Sequence, residues 1–207
     1  PEYTIAEYYE NGKAITSIKI PIPGVHNLSN ITAAISACRI INIDINCILK
    51  NIQYLQLPRK RFDLRGDIYG RKIFDDYGHH PSEIKATIEL ARLFIKKRNN
   101  NLNRLVLIFQ PHRYSRINKF LHQFIKELSK ADYLIITNIF SAGENKLNNI
   151  NSQFIADEIY KLNKNVRFIN SNYEVAKKFY EITNKGDLIL NMGAGDCHNL
   201  WSLLHSK

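Results

Sequence analysis

Residues 71–97 read RKIFDDYGHHPSEIKATIELARLFIKK, which is a short apolar stretch, a polar run and a long helix-like stretch. The residues before Asp75 predict a strand, and those after Pro81 predict a helix. In open α/β sheets, ligands bind at the carboxyl ends of strands, so the polar run 75–81 is a candidate site. Two adjacent aspartates would also repel each other unless a ligand uses them, which favours a site at Asp75 and Asp76.

Strand and helix patterns alternate from this point to the end of the chain. Apolar runs predict strands at 72–74, 104–109, 133–137, 166–169 and 188–191. Helical periodicity is found at 82–98, 115–130, 152–162, 172–183 and after His198. This alternation predicts a doubly wound α/β domain with a mostly parallel sheet that is covered on both faces. We expect residues 58–207 to form this domain.

The first 57 residues have a different pattern. Their sequence predicts two strands around an Asn-Gly turn and then two helices, at 3–9, 14–20, 27–41 and 46–54. A segment of this size is small for an independent domain. We therefore expect residues 1–57 to be a strand-helix part of another domain, with a linker at 57–60 where it meets the domain of residues 58–207.

Composition and charge exclude some classes of function. The net charge is +10, but the Lys and Arg residues are spread along the chain, and no helix-turn-helix, RNP or zinc-finger pattern is present. We expect no nucleic-acid partner, although positive potential would favour phosphate-rich substrates. No apolar run approaches the ~20 residues that span a bilayer, so we expect no membrane partner. The chain begins at Pro1 without a signal segment, which indicates a processed or excised fragment.

Three cysteines, Cys38, Cys47 and Cys197, are far apart and form no CxxC pair. Their spacing argues against a zinc site. Reduced thiols of a cytoplasmic protein are the simplest interpretation, with a catalytic thiol as the alternative.

Four of the predicted strands are followed by polar or small residues, at 75–81, 110–116, 140–144 and 193–196. In a parallel sheet all four loops lie at one edge. That edge would bring together Asp76, His79, His112, Arg113, Arg116 and Glu144.

Arg113 and Arg116 are three residues apart at the start of a predicted helix. Two guanidinium groups on one face, with free backbone N–H groups beside them, would bind a carboxylate or a phosphate. The alternative is a pair of solvated arginines beside nearby acids. His79, His80 and His112 could instead bind a metal with Asp75 or Asp76, although the two arginines would repel a cation.

Two further motifs have both a functional and a structural interpretation. Residues 193–196, GAGD, resemble part of a dinucleotide fingerprint but also suit a tight strand-to-helix turn. Asn27 and Asn30 are one helical turn apart and could both face adenine, whereas a helix cap would explain only Asn27.

Together these motifs resemble the Mur ligases. The matching segments are GVHNLSNITAA (24–34), KRFD (60–63), FDDYGHHPSEIKAT (74–87), FQPHRYSR (109–116), FSAGE (140–144) and GAGD (193–196). The segments DDYGHHP (75–81) and FQPHRYSR (109–116) are the most specific of these. They resemble the family member that adds L-alanine. The member that recycles tripeptide has a similar pattern.

The resemblance implies a three-domain enzyme of which this chain matches the C-terminal part. Residues 1–57 would end the central ATP-binding domain, and residues 58–207 would be the Rossmann-like domain that binds the amino acid. No G-x-x-x-x-G-K-[ST] loop is present to hold the phosphates. The magnesium ligands would lie mostly in the absent part, and no residue of this chain is expected to bind metal.

The resemblance also implies residue roles. ATP would contact His26, Asn27, Asn30, Arg61 and Asp76. The L-alanine pocket would consist of Tyr77, His79, His112, Arg113 and Arg116, among which His79, Arg113 and Arg116 would be catalytic.

The implied reaction is ATP-dependent ligation of L-alanine to UDP-N-acetylmuramate for peptidoglycan synthesis, in the cytoplasm. Because the P-loop is absent, we expect the chain to be inactive alone. The alternatives are a part of the tripeptide-recycling ligase, or a non-catalytic module that binds an amino acid or a nucleotide.

Overall fold

The computed structural model describes residues 3–22, 24–56, 59–96 and 101–205, with the side chain of His26 excepted. The chain divides into two compact units, Pro1–Pro58 and Arg59–Lys207. Within the described ranges, no helix has both the length and the apolar character needed to cross a membrane.

The first unit is a hairpin followed by two helices. Strands β1 (Thr4–Glu10) and β2 (Lys13–Ile20) pair antiparallel. Asn11 and Gly12 both have positive φ, of 49° and 77°, which matches the tight turn that an Asn-Gly pair favours. Helices α1 (Val25–Ile40) and α2 (Ile45–Ile52) follow, and the Asp44 side chain caps α2. Isoleucines from the hairpin and both helices form the core of this unit.

The second unit is built on a sheet of six strands. The strands are β3 (Asp63–Ile68), β4 (Arg71–Asp76), β5 (Arg104–Phe109), β6 (Tyr133–Ile136), β7 (Val166–Phe168) and β8 (Asp187–Met192). Their spatial order is β3-β4-β8-β5-β6-β7, and only β3 runs antiparallel to its neighbour. The predicted α/β class with a mostly parallel sheet is therefore confirmed.

Helices cover both faces of the sheet. They are α3 (Pro81–Lys96), α4 (Tyr114–Lys119), α5 (Leu121–Leu128), α6 (Ser152–Tyr160), α7 (Asn172–Lys177), α8 (Phe179–Ile182), a 3₁₀ turn (Cys197–Asn199) and α9 (Leu200–His205). One apolar cluster joins the sheet to α3–α6, and a second joins its other face to α7–α9. Alternate strand residues enter the two clusters, as Leu107 and Ile108 illustrate.

Two features of the second unit differ from the sequence prediction. Strand β3 is not predicted, because at this edge of the sheet only Ile68 of the strand is buried and the apolar signal is weak. The predicted helices 115–130 and 172–183 are each interrupted, at Phe120 and at Lys178.

Candidate active site

The loops after β4, β5 and β6 meet at the carboxyl edge of the sheet. The imidazole rings of His79 and His112 lie 5.6 Å apart between centroids, and His112 stacks on Phe140 at 5.5 Å. Backbone hydrogen bonds join the loop after β5 to Phe140, since Phe140 N donates to Pro111 O and Arg113 N donates to Phe140 O. Parallel strand direction therefore brings together side chains that are far apart in the sequence.

The two arginines of the sequence prediction lie in this cluster. Arg116 donates a hydrogen bond from Nη1 to His112 Nδ1 over 3.1 Å. Arg113, whose φ is 68°, has Nη1 4.0 Å from Glu144 Oε1. Both guanidinium groups act electrostatically on His112. Arg113 and Arg116 are therefore on the same side of the molecule as the imidazoles.

Glu144 changes the interpretation of the start of α4. Its carboxylate accepts hydrogen bonds from Ser115 N over 3.0 Å and from Ser115 Oγ over 2.6 Å. These bonds, followed by the charge of Arg113, lower the pKa of Glu144. The expectation of free backbone N–H groups beside the arginines is wrong for Ser115, because the chain's own carboxylate occupies that donor.

His112 is held neutral by its surroundings. Burial comes first among the causes that lower its pKa to about 4, and the electrostatic influence of Arg116, His79 and Arg113 adds to it. Glu144 acts in the opposite direction and does not overcome them. A neutral imidazole at this place can form hydrogen bonds without adding charge to the arginine pair.

His79 is held by a different set of partners. Its Nδ1 lies 2.9 Å from Tyr77 O and 3.6 Å from Glu83 Oε2. Glu83 also accepts hydrogen bonds from the backbone N–H groups of His79 and His80. Burial opposes ionisation of Glu83, but the backbone hydrogen bonds from His79 and His80 and the electrostatic influence of His79 and Arg61 lower its pKa. Arg61 completes the group, with Nη1 3.6 Å from Glu83 Oε1.

The two adjacent aspartates both have partners within the chain. The expectation that only an external ligand could offset their mutual repulsion is therefore wrong. Asp75 contacts Arg65 at 3.1 Å and accepts from Asn191 Nδ2 over 2.8 Å. Asp76 accepts from the backbone N–H groups of Phe62 and Gly78. Consecutive strand residues point to opposite faces, so the two carboxylates have separate partners. Burial raises the pKa of each carboxyl group.

The GAGD segment lies against the end of β5. Gln110 donates from Nε2 to Asp196 Oδ1 over 2.6 Å and accepts from Cys197 N. A Cβ at Gly195 would come within 2.4 Å of Gln110 Oε1 and 2.6 Å of the Phe140 ring. This close approach supports the interpretation of residues 193–196 as a tight turn.

The remaining predicted ligand-binding residues are in the first unit. Asn27 is buried in α1 and Asn30 is exposed on the same helix. The side chain of His26 lies outside the described residues.

The sequence also leaves open a metal site and a reactive thiol. Among the residues that the structure describes, no cluster of three His, Cys, Asp or Glu side chains could hold a metal ion. Cys197 is buried, and burial followed by the charges of Asp75 and Asp196 raises the pKa of its thiol to about 12. A protonated, enclosed thiol is a poor nucleophile.

Sequence reasoning misses Glu83 and Gln110, although both organise the site. A signal exists for Glu83, because it stands three residues after His80 at the start of α3. That spacing is the one at which an acidic side chain reaches back to the N-cap N–H, as it does here. The sequence offers no comparable signal for the contact of Gln110 with Asp196.

Comparisons with known proteins agree with this architecture. Residues 60–195 match the family model described as "Mur ligase, glutamate ligase domain". The UDP-N-acetylmuramate–L-alanine ligase of Prochlorococcus marinus subsp. pastoris is 58% identical over 208 residues, which cover 99% of this chain and 44% of that protein. The chain thus spans less than half the length of this relative.

Solved structures share the fold. The UDP-N-acetylmuramate-alanine ligase MurC of Thermotoga maritima has a TM-score of 0.76 at 24% identity, over 99% of this chain and 43% of that one. The MurF ligase of T. maritima, solved in complex with ADP, has a TM-score of 0.63 at 18% identity, over 99% and 44%. Because the family model covers more than half of the sequence, this chain belongs to the Mur ligase family.

Proposed function

We propose that this chain is part of an ATP-dependent ligase that joins L-alanine to UDP-N-acetylmuramate in peptidoglycan synthesis. The observation that carries the proposal is the cluster of His79, His112, Arg113 and Arg116 at the carboxyl edge of the sheet. The activity for which the 58% identical relative is named supports the choice of substrates. A reaction that consumes ATP and a nucleotide sugar also favours a cytoplasmic location.

In this proposal the two units have different tasks. Residues 1–57 end a central ATP-binding domain, and residues 58–207 form the domain that binds the amino acid. Asn27 of the first unit contacts adenine, with Asn30 one helical turn away.

The L-alanine carboxylate binds to the guanidinium groups of Arg113 and Arg116. Nη1 of Arg116 lies beside a neutral His112, and Nη1 of Arg113 lies 4.0 Å from Glu144, so the arginine pair keeps a net positive charge for an incoming anion. Tyr77 closes the pocket, with its ring 5.4 Å from that of His79. Fixing the carboxylate orients the amine for attack, which is the main contribution that positioning makes to such a reaction.

In this proposal Arg61 contacts the ATP phosphates. Asp76, which the family resemblance assigns to the ribose, has hydrogen bonds from Phe62 N to Oδ2 and from Gly78 N to Oδ1. We therefore propose that Asp76 mainly holds the segments that carry Arg61 and Tyr77. We propose that the magnesium ligands lie mostly in the part of the enzyme outside this chain.

The reaction begins when ATP phosphorylates the carboxylate of UDP-N-acetylmuramate to an acyl phosphate. The amine of L-alanine then attacks the acyl carbon, and phosphate leaves as the amide forms. Positive groups beside the developing charge stabilise the transition state.

The test is an assay of product formation by a complete ligase that contains this segment. We expect an L-alanine adduct of UDP-N-acetylmuramate that requires both ATP and L-alanine, and no adduct with the tripeptide. The chain of 207 residues alone should give no turnover, since it has no P-loop. Tripeptide ligation in preference to L-alanine, or turnover by the chain alone, would overturn the proposal.

A further inference from the structure

The two imidazoles of the candidate site have different hydrogen-bond partners on Nδ1. For His79, both neighbours of Nδ1 are acceptors, the carbonyl oxygen of Tyr77 at 2.9 Å and the carboxylate of Glu83 at 3.6 Å. Nδ1 must therefore carry a proton whether the ring is neutral or charged. The neutral ring then has its lone pair on Nε2.

The opposite holds for His112. Its Nδ1 lies 3.1 Å from Nη1 of Arg116, and a guanidinium group can only donate. Nδ1 is therefore the acceptor, and the proton of the neutral ring is on Nε2. Because the pKa of His112 is lowered to about 4, this form persists throughout the neutral range.

We infer that the two histidines have opposite tautomers with separate roles in the proposed ligation: His79 Nε2 accepts a proton from the L-alanine amine, and His112 Nε2–H donates a hydrogen bond to a substrate oxygen. Tyr77 O, the nearest acceptor, fixes the His79 tautomer, and Glu83 is the positioning residue whose carboxylate lies beside the ring. This inference rests on the proposed function for the identity of the substrate, but the tautomers themselves do not.

The surroundings of each ring favour this division. His79 faces Glu83 and Tyr77 on its own segment and His112 on the next loop, and Glu83 can stabilise a positive His79. Facing His112 are Arg116, Arg113, His79 and Glu144, and the two guanidinium groups among them oppose a further positive charge on that ring. His79, by contrast, has a carboxylate beside its Nδ1.

The proton balance of the step is simple. L-alanine binds as the ammonium form and transfers one proton to His79 Nε2. The neutral amine forms a C–N bond with the acyl phosphate carbon, and the bond from that carbon to the phosphate oxygen breaks. The second proton lost by nitrogen leaves with phosphate, and His79 later releases its own proton to solvent.

The first experiment tests the tautomers on the 207-residue chain. Long-range ¹H–¹⁵N correlation spectra of a sample labelled in histidine distinguish a protonated ring nitrogen from one with a lone pair. His79→Gln and His112→Gln variants assign the two rings. We expect a protonated Nδ1 in His79 and a protonated Nε2 in His112 at pH 7. The same tautomer in both rings would overturn the inference and would leave the proposed ligation untouched.

The second experiment uses the complete ligase and the same substitution at both positions. Glutamine reproduces an N–H donor but cannot accept a proton, so His79→Gln should lower kcat by about 100-fold. His112→Gln should mainly raise the KM for L-alanine, with a loss of kcat at least about ten-fold smaller than that of His79→Gln. The matched control is His122→Gln, on the exposed surface of α5. Equal losses of kcat at positions 79 and 112 would refute the division of roles.

Glu83→Gln separates positioning from packing, because glutamine keeps an oxygen for the backbone N–H groups of His79 and His80. We expect kcat to fall by at least about ten-fold with KM nearly constant, as when the carboxylate behind a catalytic imidazole is removed. In the spectra, Nδ1 of His79 should remain protonated, because Tyr77 O stays its nearest acceptor. An unchanged kcat would show that Glu83 is only a helix cap. If the unmodified ligase makes no L-alanine product, the proposed function itself fails.

Discussion

Arg116 of the candidate site differs from most surface arginines in having a neutral imidazole as a partner. Arg116 donates to His112 Nδ1, and the side chain of Arg113 is about half exposed, 4.0 Å from Glu144. Neither guanidinium group is fully neutralised by a close carboxylate. Such groups are available for a ligand carboxylate.

Replacing either arginine with alanine should therefore weaken the binding of L-alanine. In the complete ligase, Arg113→Ala or Arg116→Ala should raise the KM for L-alanine by about 10- to 100-fold, which corresponds to the loss of one charged hydrogen bond of about 1.5–3 kcal/mol. The KM for ATP should change much less. Steady-state kinetics with each substrate varied in turn measures both values.

Arg167→Ala is the control, because Arg167 is exposed on β7. Equal increases in both KM values at position 113 would argue against the carboxylate clamp.

The lowered pKa of His112 also predicts a dependence of stability on pH. In the folded chain this pKa is about 4, whereas the ordinary value is 6.5, so the unfolded state binds more protons between these limits. The contribution of His112 to the free energy of unfolding then rises with pH across that window and is constant above it. The free energy of unfolding of the wild type minus that of His112→Gln should increase from pH 4 to pH 6.5.

Urea titrations at closely spaced pH values measure this difference. The buried carboxyl groups Asp75 and Asp76 titrate in both proteins and so cancel. A difference that is flat with pH would contradict the assignment.

At the scale of elements, the turns at the carboxyl edge of the sheet fit closely against one another. Gly195 lies so near Gln110 and Phe140 that an added methyl group would overlap both. Gly143, in the neighbouring loop, has a φ of 86° but open space around its Cβ position. These two glycines separate the effects of packing and of backbone conformation.

Gly195→Ala should destabilise the second unit by about 1–3 kcal/mol, since an overpacked site must shift its neighbours. It should also move the Phe140 ring and so change the His112 resonances. Gly143→Ala has only the backbone cost of about 1–2 kcal/mol and should leave His112 unchanged. Thermal unfolding and NMR spectra of both variants measure these effects. Unaltered His112 resonances in Gly195→Ala would show that the added methyl group does not displace the Phe140 ring.

Some elements of the second unit are predictable from the sequence and others are not. The parallel strands are predictable because they are buried on both faces and therefore continuously apolar, as in Leu105–Ile108. Strand β3 is not predictable, because an edge strand with one exposed face has little apolar signal. The interruption at Phe120 is equally hidden, since helical periodicity continues through it.

For the site, sequence predicts which loops converge but not which donors are already occupied. Parallel topology alone brings His79 and His112 together. Ser115 N donates to Glu144, and backbone amides donate to both oxygens of Asp76. These contacts depend on tertiary distances of about 3 Å. Such distances cannot be derived from spacing along the chain.

At the scale of the whole molecule, the two units have unequal cores. The second unit has apolar clusters on both faces of its six-stranded sheet. The core of the first is formed by one hairpin and two helices. Small units of about 60 residues are only marginally stable alone.

Residues 59–207 produced alone should therefore unfold cooperatively in urea, with a free energy of unfolding of about 5–15 kcal/mol. Residues 1–58 alone should show little or no cooperative transition. Circular dichroism during urea titration of each segment measures this contrast. A non-cooperative transition of residues 59–207 would mean that the second unit is not an independent folding unit.

The cysteines provide a way to follow the two units separately. Cys47 is exposed and Cys38 is partly exposed, and both lie in the first unit, whereas Cys197 is enclosed in the second. A maleimide dye should therefore modify positions 38 and 47 within minutes and reach position 197 only when the second unit opens. Mass spectrometry of the slowly labelled Cys197 would then measure the rate at which the second unit opens, without any engineered reporter.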